Sequence, residues 1–298
     1  MLDPELAVDR IVAAHQGPPG VRALHAKGRF YSGTFNASPD GTAICRALHF
    51  NGETVPILVR WSNGSGRPGR DDRHDVRGMA VSFVLPDSTS TDLVAQTAPR
   101  FPVRKPEEFV RLLEITRDRK ELAKFLATRP GTARALYVNH RAGTLKPPGS
   151  YAEATYYPIH AYRWLTAAGH GSWVRYRFVP QAADRRRQTG RFHGDDRLQD
   201  EMAARLQAGP VSFDMVVTVA GPKDNPHDPM SVWKGSREFV AGWLEITGAE
   251  VDHEADGDVV VFDPTRVVDG IELSDDPILR YRARAYAVSV ARRTPGPP

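Results

Sequence analysis

Cysteine is nearly missing from this chain: Cys45 is the only one. That excludes an internal disulfide framework and any zinc site built on several thiolates, and it fits a reducing compartment. Long apolar runs are missing too. The opening MLDPELAVDRIVAAHQG carries acids near its start and no stretch of signal-peptide length, and no later segment reaches the ~20 apolar residues that span a bilayer. A soluble, cytoplasmic protein without a membrane span is expected. No block of one charge sign occurs either. The 40 basic and 36 acidic residues are interleaved, as in GRDDRHDVRG, which argues for a solvated surface and against nucleic acid as a partner.

Several catalytic signatures are also absent. There is no P-loop, no H-E-x-x-H, no G-x-S-x-G and no C-x-x-C-H. GSGRPG, from Gly64 to Gly69, does match G-x-G-x-x-G by letter. A dinucleotide site needs a helix N-terminus directly afterwards, whereas Pro68 and the strand-like RGMAVSFV follow, so these glycines read as a turn. His74-Asp75, His193 in HGDD and His227-Asp228 lack metal-ligand spacing and read as surface turns.

What is present is enough apolar residue, 41% of 298, to bury a sizeable core. No internal repeat and no Pro/Gly-rich linker divides the chain; only TPGPP at the end looks like low-complexity tail. A single domain over 1–298, with its core at about 20–294, is expected. The opening helix should turn Leu6, Ile11 and Val12 inward. Short β-branched and aromatic runs, AICRALHF, VPILVRWS and RGMAVSFVL, then SWVRYRFVP and SFDMVVTVA, read as antiparallel strands. GSREFVAGWLEIT is mixed, and ADRRRQTGRFHGDDR reads as a polar connection. KPEEFVRLLEITRDRKELAKFLAT has helical spacing with Pro106 near its start. The sum is an α+β architecture around an antiparallel barrel or strongly curled sheet.

Two segments carry chemistry. RALHAKGRF places Arg22, His25 and Lys27 on one short run, where a lone histidine would ordinarily be a hydrogen-bonded core residue. SDDPILRYRARAYAVSVARR reads as a helix with Asp276 as N-cap and Pro277 at its first position. Arg282 and Tyr286 are four apart and so share a face. A guanidinium beside a phenol favours the phenolate, a hard anionic ligand for ferric iron and a known axial haem ligand.

Taken in order, RALHAKG, VRWSNGSG, DVRGMAVSF, DLVAQTAPRFPVRKPEEF and GIELSDDPILRYRARAYAVSVARR resemble the successive landmarks of haem catalases. The likeness runs from about Arg22 to Arg293, without the long terminal extensions of full-size catalases, and so resembles the minimal catalase-related peroxidases. It implies a catalase-like central barrel of about eight antiparallel strands with surrounding helices, and one haem b bound non-covalently at the barrel. His25 matches the distal histidine, which takes a proton from the inner oxygen of a hydroperoxide and returns it to the outer one. Ser62 matches the serine that orients it, with Trp61 where the family most often has phenylalanine. Tyr286 matches the proximal iron ligand and Arg282 its arginine. Arg22, Arg60 and Arg293 match the arginines that pair with haem propionates, a role suited to a bidentate guanidinium. Phe109 and Phe101 match aromatic positions near the distal face. Lys27 belongs to the motif without an assigned role.

One departure refines this reading. The distal asparagine of large catalases aligns with Thr97, or with Gln96 if the register shifts by one, and Pro102 replaces a bulky aromatic. Losing that amide should weaken the handling of a second hydrogen peroxide and favour peroxidase chemistry. The resemblance therefore implies a haem-dependent peroxidase acting on hydrogen peroxide or organic hydroperoxides with a small reductant, with weak catalase activity at most. Alternatives are a fatty-acid hydroperoxide isomerase of the allene oxide synthase kind, against which Arg100 and Arg104 near the pocket loop speak, and a non-catalytic haem or lipophile carrier. Thiolate ligation through Cys45 is set aside because that residue reads as a small buried hydrophobe. A monomer or homodimer is expected.

Overall fold

Among the described residues nine antiparallel strands join in one curled sheet, and its register decides where the functional groups come to lie. The computed structural model describes residues 2–182, 184, 190–250, 254 and 259–294. The strands are β1 (Gly28–Ala37), β2 (Val55–Asn63), β3 (Arg77–Val84), β4 (Ser90–Gln96), β5 (Tyr162–Leu165), β6 (Gly171–Pro180), β7 (Val211–Val219), β8 (Arg237–Ala249) and β9 (Ile271–Leu273). They run in the order β4-β3-β2-β1-β8-β7-β6-β5-β9. About eight were expected; the three-residue β9 has too little sequence to announce itself. The two ends of the sheet are tied by a loop. Arg266 O accepts from Asp92 N at 3.3 Å and from Thr91 Oγ1 at 2.9 Å, and the Asp92 carboxylate accepts from Asp263 N at 2.7 Å.

Side chains alternate across each strand. Val59, Trp61, Met79, Val81 and Ala95 point into the curl, where they meet Phe213, Met215 and Tyr156 in the main core. A fully buried side chain of this size contributes about 2–3 kcal/mol. Cys45 is buried there too, and burial pushes its thiol up to about 12, so the thiolate needed for haem ligation is disfavoured.

Among the described residues seven helices surround the sheet: α1 (Pro4–His15), α2 (Pro39–Ile44), α3 (Pro106–Ile115), α4 (Arg119–Ala127), α5 (Pro130–Arg141), α6 (Arg197–Gln207) and α7 (Pro277–Ala291). Five expectations change. AICRALHF is not a strand: Ser38 caps α2 by accepting from Gly41 N at 3.1 Å, with Pro39 at its first position. The segment after Lys105 is two helices, because Asp118 accepts from Lys120 N and Glu121 N and starts α4 afresh. GSREFVAGWLEIT is the long strand β8, and part of the polar connection is α6. In α1 the inward residues are Ala7, Val8 and Ile11, while Leu6 is 50% exposed. TPGPP beyond Thr294 and Arg185, Arg186 and Arg187 lie outside the described residues. Among the described residues no helix is long and apolar enough to cross a membrane, and no three His, Cys, Asp or Glu side chains converge to hold a metal ion.

Candidate active site

One row of residues across four strands builds the first wall of the site. Gly28 pairs with Ser62, Ser62 with Gly78, and Gly78 with Gln96. Two residues along, Arg60, Ala80 and Val94 form a second row on the same face. This face is opposite to the one that carries Trp61 and Met79, so the site lies outside the curled sheet, between it and α1, α3 and α7. A cavity of about 250 Å³ fills that space.

His25 stands on the loop leading into β1. Its backbone is held by His25 N donating to Gly64 O and Ala26 N to Ser65 O, both at 3.0 Å. The glycine-rich turn is therefore the support of the histidine. Gly66 is required there, since a Cβ would lie 2.0 Å from Ala23 O. His25 itself has φ 56°, a left-handed conformation that a non-glycine residue adopts only when its surroundings hold it there. Its Nδ1 lies 3.0 Å from Ser62 Oγ. Gly78 makes room for the pair: a Cβ would meet His25 Nδ1 at 2.6 Å and Ser62 Oγ at 2.7 Å. Desolvation in the cavity, then the charges of Arg60, Arg282 and Arg22, lower the imidazole to about 3. It is neutral at physiological pH.

The opposite side of the cavity is α7. Asp276 starts this helix, accepting from Ile278 N at 2.8 Å, and its other oxygen lies 2.6 Å from His160 Nδ1 in a pair that is 1% exposed on both sides. From this anchor, Arg282 and Tyr286 project into the cavity, with Arg282 Nη1 donating to the Tyr286 hydroxyl oxygen at 3.3 Å. Phe101 and Phe109 stack at 5.4 Å between ring centroids and line the cavity with Val110 and Ile159.

Arginines gather at one end. Arg22, Arg60 and Arg293 all line the cavity. Arg60 donates from Nη1 to His25 O at 3.0 Å and from Nη2 to Ala26 O at 3.3 Å, but its buried Nε has no partner among the described residues. Burial, then the charge of Arg22, lowers Arg60 to about 9, so this end of the cavity favours an anion. Apolar walls, a tyrosine oxygen beside a guanidinium, a neutral histidine and an unpartnered buried N–H among clustered arginines fit a flat, mainly apolar group with carboxylates at one edge. Haem has that form.

His25, Ser62, Arg22, Arg60, Phe109, Arg282, Tyr286 and Arg293 are thus brought to one cavity. Thr97 is not on its wall. Its hydroxyl accepts from Arg77 N at 3.0 Å and donates to Thr144 O at 3.1 Å, and Gln96 faces the cavity instead. A strand's alternation explains the correction, since one step along β4 reverses the face. Lys27 gains a role: it pairs with Asp71 and Asp196, each at 2.9 Å, and ties the His25 segment to the neighbouring loop. Arg104 pairs with Asp228 at 2.8 Å, away from the cavity. Sequence reasoning missed Gly78, which a glycine inside a strand could have signalled, and Glu254, for which VDHEADGD gives no signal.

The family model described as Catalase matches residues 18–297. A catalase-related peroxidase of Mycolicibacterium paratuberculosis is 46% identical over 98% of this chain and 95% of its own length. Another, of Synechococcus elongatus, is 29% identical over 97% and 89%. Among solved structures, a bacterial catalase superposes with TM-score 0.77 at 20% identity, covering 98% of this chain, and a fungal catalase with 0.76 at 20%, covering 96%. The chain spans about three fifths of either, 61%.

Proposed function

This chain belongs to the catalase family, and we propose that it is a haem-dependent peroxidase that reduces hydrogen peroxide or organic hydroperoxides with a small electron donor, with weak catalase activity at most. Haem b is the group the donor set suits, held without covalent attachment: Tyr286 as iron ligand, Arg282 on the tyrosine oxygen, and Arg22, Arg60 and Arg293 toward the propionates. When bound, it supplies the iron that accepts oxygen from the peroxide and passes oxidising equivalents to the donor.

The observation that carries this reading is the His25–Ser62 pair over the cavity. With Ser62 Oγ accepting from Nδ1–H, Nε2 keeps its lone pair and takes the proton of the hydroperoxide's inner oxygen. The same nitrogen then donates that proton to the outer oxygen, which departs as water or an alcohol. One group performs both transfers, a task commonly worth about 10²–10⁴ in rate. A neutral imidazole is required for the first transfer, and the low His25 value meets that requirement. The stacked Phe101 and Phe109 give the same space an apolar wall. Gln96 lines the cavity, yet its Nε2 is directed to Ala98 O at 3.4 Å, so no amide is committed to holding a second peroxide. A carrier would have no use for an oriented proton-transfer residue.

Stoichiometry tests the assignment. With hydrogen peroxide and a donor such as a phenol, the account predicts about two donor electrons consumed per peroxide and little oxygen released. Oxygen released at one molecule per two peroxides, unaffected by donor, would make the enzyme a catalase; a hydroperoxide consumed with neither would make it an isomerase.

A further inference from the structure

The arginines at the cavity's end already hold a carboxylate, and it belongs to the chain. Both oxygens of Glu254 face the Arg22 guanidinium, with Arg22 Nη2 donating to Oε1 at 2.7 Å and Nη1 donating to Oε2. Arg293 Nη1 donates to Oε1 at 3.0 Å, and Val260 N donates to the same oxygen at 3.1 Å. The side chains are well shielded: Arg22 is 16% exposed, Arg293 8% and Glu254 20%. Burial pushes the Glu254 carboxyl up, but the hydrogen bond from Arg22 and the charges of Arg22, Arg293 and Arg60 bring it below its usual range. Without an anion, three guanidiniums would face one another here; burial, then the charge of Arg22, lowers both Arg60 and Arg293, and Arg293 adds to the effect on Arg60.

We propose that Glu254 is a resident stand-in for a haem propionate: it neutralises Arg22 and Arg293 in the haem-free chain and gives up their N–H groups to the propionate when haem is loaded. The inference rests on the haem reading above and adds to it a residue that governs capture. Its basis is competition for the same donors. Glu254 takes one N–H from each terminal nitrogen of Arg22, and Val260 O takes the second of Nη2 at 2.9 Å, so an incoming propionate cannot make the same bidentate contact while Glu254 remains. Arg60 is different. Its Nε is buried and, among the described residues, unpartnered with Glu254 in place, which leaves it as the first contact for an arriving anion, ahead of the exchange at Arg22 and Arg293. The apparent affinity for haem is then reduced by the population in which Glu254 holds the arginines.

The test is a titration of apoprotein with haem b, followed by Soret absorbance, for the wild type, E254Q and E254D. Haem dimethyl ester, which has no propionate charge, is titrated in parallel. E254Q is expected to bind haem b about tenfold tighter than the wild type, to melt at lower temperature as apoprotein, and to gain nothing with the ester. E254D keeps the charge on a shorter stem, so it should shift haem b affinity the same way by less; it serves if E254Q does not fold. Equal or weaker binding of haem b by E254Q, or an equal gain with the ester, would overturn the exchange while leaving the haem reading intact. Wild-type protein that develops no Soret band with haem b would overturn both.

Discussion

Gly78 leaves the His25–Ser62 pair little latitude. A methyl group there would sit 2.6 Å from His25 Nδ1 and 2.7 Å from Ser62 Oγ, and His25 is already held in a left-handed backbone conformation. G78A should therefore displace the imidazole while sparing the tyrosine side of the cavity. The expected outcome is an unchanged haem content with reaction toward peroxide slowed at least ~10-fold; equal rates would show that the pair tolerates a different position. H25A should retain haem and lose about 10²–10⁴ of that rate, and undiminished reaction would reject His25 as the proton-transfer residue. Y286F should abolish stable loading or alter the visible spectrum through a changed iron ligand, and an unaltered spectrum would reject Tyr286 as ligand. His25, Ser62 and Tyr286 lie in short contiguous motifs, and the resemblance of those motifs to haem catalases singled them out; the structure brings all three to one cavity. Thr97 against Gln96 was not legible, because one residue of register on a strand decides which side chain faces the cavity. Glu254 was illegible for another reason: its partners lie 232 and 39 residues away.

Among the elements, α7 carries the site, and its start sets the direction of Arg282 and Tyr286. Asp276 caps that start and also pairs with His160, whose buried Nε2 has no partner among the described residues. D276A thus removes a cap and leaves a buried imidazole with neither nitrogen satisfied. A loss of about 3 kcal/mol in urea unfolding is expected, above the ~1 kcal/mol of an ordinary cap; a loss under ~1 kcal/mol would show that the helix start is held by other contacts. The cap and Pro277 were readable from SDDP, and β2, β3, β6 and β7 from their alternation. α2 was misread because AICRALHF has strand-like composition, while the decisive signal, Ser38-Pro39, lies just upstream of it. The break between α3 and α4 likewise depends on the single Asp118 cap inside a stretch of continuous helical spacing.

Over the whole molecule, burial keeps three histidines neutral, with His25 and His49 lowered to about 3 and His160 to about 4. Above the unfolded value near 6.5 neither state binds the extra protons. As pH falls below it the unfolded chain binds them and the fold does not, so stability is lost toward the folded values. Asp75 and Asp92, pushed up by burial, titrate with the opposite sign, and a single-site difference isolates the effect. His49 sits among the rings of Phe35, Phe50 and Phe83, and its Nδ1 has no partner among the described residues. H49F should lower the pH dependence of unfolding free energy between pH 6 and 4 by about 1.4 kcal/mol per pH unit; an unchanged slope would mean that His49 takes up its proton in the fold. The α+β class and the sheet were legible from strand alternation, whereas the loop seam through Asp92, Asp263 and Arg266 was not, because it depends on contacts about 170 residues apart that no local pattern reports. The central claim is that one cavity joins a tyrosine-ligated haem to a proton-transferring histidine and passes oxidising equivalents to a donor. Stopped-flow visible spectroscopy of the haem-loaded protein, mixed with hydrogen peroxide or an organic hydroperoxide and then with donor, tests it most directly. The account predicts a rapid change of the ferric spectrum that the donor reverses at a rate rising with its concentration; a spectrum that stays ferric and unchanged in every mixture would contradict it.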